Sequence, residues 1–112
     1  MANHPSLGEA ARARISDPSS AVFVSTATVW EISIKRALGN LGVPSDLLGQ
    51  LELNRFRPLS ISSSHAYAAG VLPRHHDDPF DRMLVAQAME ENLVLLTADQ
   101  RIKRYGVQIL DV

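Results

Sequence analysis

The sequence contains no cysteine and no long apolar run. Without cysteine the chain has neither disulfide bonds nor thiolate metal sites, and this composition suits a reducing compartment. No stretch approaches the roughly 18 apolar residues that a membrane-spanning helix requires, and no basic segment leads into an apolar run at the N-terminus. We therefore expect a cytoplasmic protein that is neither secreted nor inserted into a membrane.

The sequence also lacks an excess of charge of either sign. Eleven lysine and arginine residues stand against twelve aspartate and glutamate residues, which gives a net charge of −1. The net charge of such a protein produces no overall electrostatic attraction to nucleic acid or to an anionic membrane. Any contact with RNA must therefore come from a local patch of the surface.

The length and the apolar content favour one domain. The chain has 112 residues, of which 46% are hydrophobic, so we expect a single domain over residues 1–112. Short apolar runs alternate with segments whose apolar residues recur every three or four positions, which predicts an α/β fold with a parallel sheet covered by helices. The predicted strands are 21–25, 58–61, 93–97 and 107–110, and the predicted helices are 6–16, 26–38, 47–53, 64–72, 79–91 and 100–105.

Three carboxylates stand near junctions that lead into predicted helices: Glu31, Asp81 and Asp99. In open parallel sheets, the carboxyl ends of the strands form the binding crevice. Acidic side chains gathered there repel one another, and a divalent cation relieves the repulsion. Magnesium and manganese accept carboxylate oxygens, leave positions open for substrate phosphate and activate a bound water. Phosphodiester hydrolysis is the chemistry that this combination favours.

Glu31 also has structural explanations. It lies three residues after Thr28 and four before Lys35, so it is placed either to complete a capping box or to pair along the helix surface. Its position directly after Trp30, close to the apolar stripe of the helix, favours the functional interpretation. A carboxylate at the edge of a core needs a cation or hydrogen-bond donors.

Asp81 and Asp99 have structural alternatives as well. Asp81 is the third residue of a helix that begins at Pro79, where the helix dipole favours a negative charge. The apolar residues that follow it place Asp81 above a buried face, which favours function. Asp99 is equally well placed as the N-cap of a short helix, and this residue alone decides nothing.

Two other features are interpreted structurally. His75 and His76 lie side by side in a polar loop, where histidines are more often solvated or hydrogen-bonded than catalytic, and imidazole does not suit magnesium. Trp30 belongs to the same apolar stripe as Ile34 and Leu38. We therefore expect it to be a core aromatic residue and not a platform for stacking bases.

Three segments resemble one family. The run VSTATVWEISIK at residues 24–35 is similar to the S-x-x-S/T-x-W-E-I-x-I-K stretch of PIN-domain ribonucleases of the VapC toxin type. The run HDDPFDRMLVAQA at residues 76–88 and the run LTAD at residues 96–99 resemble two further segments of these proteins, in the same order and spacing. The resemblance implies the PIN fold, in which helices flank a central parallel sheet on both sides.

The same resemblance implies a function. Such proteins are RNA-cleaving toxins of type II toxin-antitoxin systems that use Mg²⁺ or Mn²⁺, commonly form homodimers and are held inactive by a cognate antitoxin. Matched by motif, the catalytic and metal-binding acids are Glu31, Asp81 and Asp99.

Weaker assignments follow for three neighbours of these acids. The resemblance implies that Thr97 supports a metal-bound water or a neighbouring carboxylate. It also implies that Arg82 or Lys35 contacts the substrate phosphate. For Arg82, a surface ion pair with Asp78 is an equally good interpretation.

The resemblance fails at the front of the chain. Family members normally begin with an apolar strand that ends in an aspartate and lies at the centre of the sheet. Residues 1–5 are too short and polar to be this strand, and neither Glu9 nor Asp17 has the context of the missing acid. We therefore expect an N-terminally truncated PIN-like domain that lacks its central strand and one metal ligand, with marginal stability and loss of activity.

Three functions remain open. The first is a metal-dependent endoribonuclease toxin. The second is a non-catalytic PIN-like remnant that binds an antitoxin or forms dimers, which the missing aspartate favours. The third is a small signalling domain whose acidic pocket binds magnesium for phosphoryl transfer, and the Trp30-Glu31 and Asp81-Arg82 pairs count against it.

Overall fold

The computed structural model describes residues 21–39, 42, 45–97 and 100–111. The predicted helix at 6–16 and the predicted metal ligand Asp99 lie outside the described residues. In chain order the elements are β1 (Phe23–Ser25), α1 (Thr26–Ala37), α2 (Leu47–Leu53), β2 (Arg57–Leu59), α3 (Ser63–Val71), α4 (Pro79–Glu91), β3 (Leu95–Thr97), a 3-10 helix (Gln100–Tyr105) and β4 (Ile109–Asp111). The predicted α/β class is confirmed.

The described strands form two parallel pairs. β1 pairs with β2 and places Phe23 opposite Arg57, whereas β3 pairs with β4 and places Leu95 opposite Ile109. Within the described residues these pairs are two separate sheets. The expected lack of a central strand concerns the chain ahead of Ala21, outside the described part, and it stays a prediction.

Helix α4 begins and ends at clear sequence signals. The carboxylate of Asp78 accepts a hydrogen bond from the backbone N–H of Phe80 at 2.8 Å, and Pro79 takes the first helical position. The helix ends at Asn92, which adopts the left-handed conformation with φ of 54°. With 13 residues α4 is about 20 Å long. No described helix is long and apolar enough to cross a bilayer.

The buried face of α4 carries the main apolar cluster. Val85 and Ala88 pack there with Leu95 of β3 and with Ile102 and Tyr105 of the 3-10 helix. These residues are at most 9% exposed. The cluster fixes the pair β3–β4 and the 3-10 helix against α4.

Arg82 ties α4 to the end of α3. Its Nη2 donates to the carbonyl oxygens of Ala69 at 2.9 Å and Leu72 at 3.0 Å, and its Nη1 donates to those of Pro73 at 3.1 Å and His76 at 3.3 Å. The last carbonyls of a helix have no partner within the helix, and a charged donor satisfies them strongly. The guanidinium group therefore stabilises the end of α3 and the loop that follows.

The prediction that Trp30 is a core aromatic residue, on one buried stripe of α1 with Ile34 and Leu38, is wrong. The buried residues of this helix are Ala27 and Thr28 in the first turn, whereas Trp30 is 62% exposed and Leu38 is 82% exposed. The helix packs against α4. Periodic spacing predicts which residues share a face, but it does not predict whether another element covers that face.

A groove of about 260 Å³ lies between the two sheets. Residues of β1 and β3 line its walls, and Leu84, Gln87 and Ala88 of α4 line it as well. Among the described residues that line it, none carries a charge.

We predict that Arg82→Met destabilises the protein. The methionine keeps the apolar stem but removes the charged donors from several carbonyl oxygens, so the free energy of unfolding should fall by about 3 kcal/mol. Urea denaturation followed by circular dichroism measures this change. The control is Arg74→Met, at an exposed arginine of the loop between α3 and α4, which should change the stability by less than about 0.5 kcal/mol. Equal effects of the two variants would contradict the structural role of Arg82.

Candidate active site

An aromatic contact brings two of the predicted acids together. Trp30 of α1 and Phe80 of α4 meet edge to face, with ring centroids 5.3 Å apart and planes at 68°. Each ring directly precedes an acid in the sequence, Glu31 after Trp30 and Asp81 after Phe80. The contact therefore holds the two helices together beside these carboxylates.

The electrostatics of Glu31 depend on its burial and on the charged groups around it. Burial raises the pKa of Glu31 above its ordinary value of 4.5, and the negative charges of Asp78 and Asp81 raise it further. The ammonium group of Lys35, one turn along α1, acts in the opposite direction. The net effect is a carboxylate whose charge the folded protein disfavours, and an added cation would reverse this effect.

His76 holds the carboxylate of Asp81. Its Nε2 lies 2.8 Å from Oδ2 of Asp81, and the side chain is almost completely buried. The backbone N–H of Asp78 points at Nδ1 of the same ring, 3.5 Å away. Because Nδ1 accepts, we assign the proton to Nε2, which then donates to Asp81.

Sequence patterns did not reveal this contact of His76. They predicted only a solvated or hydrogen-bonded histidine, without a named partner. The start of α4 was the available signal. Asp78 is the N-cap of this helix, and the turn at the cap brings His76, two residues earlier, to Asp81, the third residue of the helix. Asp78 was likewise seen only as a cap or an ion-pair partner, whereas its charge also reaches Glu31.

The remaining predicted residues lie in different environments. Thr97 is the last residue of β3 and is half-buried, and Lys35 is exposed on α1. Arg82 donates to main-chain carbonyls, and within the described chain it makes no ion pair with Asp78. Phosphate contacts of Arg82 and Lys35 stay predictions, as does the role of Asp99.

The described residues provide part of a metal-binding set. Among them, no three His, Asp or Glu side chains are close enough to hold an ion. Glu31 and Asp81 offer carboxylate oxygens from two helices, and their mutual repulsion is what a hard divalent cation relieves. This donor chemistry fits Mg²⁺ or Mn²⁺ as an incomplete site.

The sequence matches the family model of the PIN domain over residues 2–108. The chain belongs to the PIN domain family. This confirms the resemblance drawn from the three motifs. PIN domains are in general nucleases that depend on divalent metal ions.

The fold of this PIN domain is similar to a solved structure. The match is the crystal structure of VapBC2 from Rickettsia felis bound to a DNA fragment from their promoter, with a TM-score of 0.67 and 15% sequence identity. The alignment covers 83% of this chain and 76% of that chain. At this identity the similarity concerns the fold alone. A search of curated proteins finds no match to this sequence.

We predict that Glu31→Gln stabilises the metal-free PIN domain at pH 7. The folded-state pKa of Glu31 lies above 4.5, so its ionised form is less favourable in the folded than in the unfolded state. The resulting loss of stability is absent below the ordinary pKa of 4.5 and grows as the pH rises from there through the folded-state pKa of Glu31. The difference in melting temperature between variant and wild type should therefore increase from about pH 4 to about pH 7.

Two comparisons make this experiment decisive. The control is Glu52→Gln, at an exposed glutamate of α2. The difference in melting temperature between this control and the wild type should stay constant from about pH 4 to about pH 7. Addition of Mn²⁺ at pH 7 should raise the melting temperature of the wild type more than that of Glu31→Gln. A variant less stable than the wild type at pH 7 without metal would contradict the disfavoured charge.

Proposed function

We propose that this chain is a Mg²⁺- or Mn²⁺-dependent endoribonuclease of the VapC toxin type, controlled in the cytoplasm by a cognate antitoxin. The observation that carries the proposal is the pairing of Glu31 and Asp81, drawn from two helices by the contact between Trp30 and Phe80. Both acids stand in motifs that resemble this type, within a chain of the PIN family.

The residues have distinct roles in this proposal. Glu31, Asp81 and Asp99 would hold the ion through their carboxylate oxygens. A bound divalent ion supplies charge neutralisation and an activated water for attack on the phosphodiester. His76 keeps the carboxylate of Asp81 oriented, because its Nε2–H bond removes rotational freedom from that side chain.

Substrate phosphate needs positive charge near the acids. Lys35 lies one turn after Glu31 on α1 and lowers the pKa of that glutamate, so its charge acts at the site. It is our candidate for the phosphate contact. Arg82 is not, because its Nη1 and Nη2 atoms donate to the main chain around the end of α3. Thr97, at the end of β3, is assigned to support a metal-bound water.

A second candidate function is binding without catalysis. An apolar strip on α1, formed by Trp30, Ile34 and Leu38, is exposed and suits a partner helix or a second copy of the chain. This strip is available whether or not the acids hold an ion. The strip therefore favours a non-catalytic PIN-like protein that captures an antitoxin or forms homodimers.

We predict that Asp81→Asn lowers metal-dependent RNA cleavage at least about 100-fold, because a neutral amide neither balances nor holds a divalent ion as a carboxylate does. The measurement is cleavage of a structured RNA by the purified chain with Mn²⁺, with a chelator arm. The matched control is Asp77→Asn, at an exposed aspartate of the loop before α4, which should cleave like the wild type.

The outcomes separate the two candidates. Cleavage that needs Mn²⁺ and is lost only in Asp81→Asn supports the nuclease. Cleavage that persists in chelator would overturn it. A wild type that binds Mn²⁺ and an antitoxin but cleaves no RNA would support the binding function instead, and substitution of Trp30 by serine should then weaken capture.

A further inference from the structure

We propose that a basic ridge beside the predicted acids binds the phosphate backbone of the RNA on one side of the cleaved bond. The ridge comprises Arg74 and His75 of the loop between α3 and α4, and Arg101, Lys103 and Arg104 of the 3-10 helix. All five side chains are exposed. The proposal rests on the proposed ribonuclease function, because it assigns the surface that carries the substrate to that site.

The periodicity of the 3-10 helix separates basic side chains from the buried face. Residues three positions apart lie on the same side of such a helix. Ile102 and Tyr105 belong to the buried apolar cluster, and Arg101 and Arg104 share an exposed flank. Two guanidinium groups on one flank repel each other, and an anion near both of them relieves this repulsion.

An aromatic contact joins the loop to the 3-10 helix. The rings of His75 and Tyr105 meet edge to face, with centroids 5.1 Å apart and planes at 67°. Arg74 directly precedes His75 in the sequence, and Arg104 directly precedes Tyr105. The contact therefore brings basic residues from two distant segments of the chain to one stretch of surface.

The same tyrosine places the ridge next to the acids. Its hydroxyl donates to the carbonyl oxygen of His76 at 3.4 Å, and Nε2 of His76 lies 2.8 Å from Oδ2 of Asp81. These contacts connect the ridge to a predicted metal ligand. Lys35, our candidate for the contact with the cleaved phosphate, stands on α1 and acts on Glu31. The ridge is thus a second basic surface, suited to phosphates further along the RNA.

The charge balance of the ridge favours a polyanion. The run QRIKRYG at residues 100–106 contains no acid, and Asp77 is the acid of the run LPRHHD at residues 72–77. The ridge has this positive excess although the whole chain has a net charge of −1. Basic groups bind a nucleic-acid backbone by releasing its counterions. RNA is favoured over an acidic polypeptide because the ridge adjoins the acids that would cleave it.

The experiment measures binding of the full chain to a fluorescein-labelled single-stranded RNA of about 12 nucleotides, in chelator so that the RNA stays intact. Arg74→Gln and Arg104→Gln should each raise the Kd about fivefold in about 0.1 M salt. Each should also reduce the slope of the logarithm of affinity against the logarithm of salt concentration by about 0.7. An RNA of different sequence should show the same losses, because phosphate contacts carry no sequence information.

The matched control is Arg57→Gln, at an exposed arginine of β2. This variant removes the same charge from the sheet formed by β1 and β2, and its Kd should stay within about 1.5-fold of the wild type. All three variants change exposed side chains, so their urea denaturation midpoints should match that of the wild type. With Mn²⁺, the two ridge variants should raise the KM for RNA cleavage about fivefold and keep kcat within about twofold, because the ridge binds substrate and transition state alike.

The outcomes separate this proposal from the proposed function. Equal Kd values for the wild type and both ridge variants would overturn the ridge, even where the wild type cleaves RNA with Mn²⁺. Weaker RNA binding by the ridge variants but not by Arg57→Gln supports the ridge, even where no cleavage occurs and the ribonuclease function fails. Unchanged RNA binding together with weaker binding of polyglutamate would assign the ridge to an acidic polypeptide instead.

Discussion

The start of α4 is the constraint on which the described structure depends. The carboxylate of Asp78 accepts backbone N–H bonds and fixes the first turn of the helix. Three successive side chains then take their places. Phe80 meets Trp30 of α1, Asp81 meets His76, and Arg82 reaches the end of α3. One capped turn thus joins three helices and positions a predicted metal ligand at the same time.

Neighbouring residues of this arrangement carry charges that have opposite effects on the stability of the folded protein. Arg82 stabilises because its charge meets carbonyl oxygens that otherwise lack donors. Burial raises the pKa of Glu31, and the negative charges of Asp78 and Asp81 raise it further, so the folded protein disfavours the ionised form of this carboxyl group. Carboxyl groups with a perturbed pKa cluster at functional sites.

Much of the fold could be predicted from residue patterns. The limits of α4 at Pro79 and Glu91 follow from an N-cap aspartate, a proline at the first position and a left-handed asparagine at the end. Within the described residues, the predicted strands and the other predicted helices agree with the observed elements within one or two residues. The exposure of Leu38 did not follow, because the sequence defines an apolar face but not the element that covers it.

The sequence by itself determined the family, the α/β class and the chemistry of the candidate acids, since motifs and periodicity are local properties of the chain. Only the tertiary structure decided which residues meet. It paired His76 with Asp81, directed Arg82 to carbonyl oxygens, and left a groove between two sheet edges. These outcomes depend on how α4 packs against elements distant in sequence. Contacts of this kind have no local signature, because the packing of several elements together determines them.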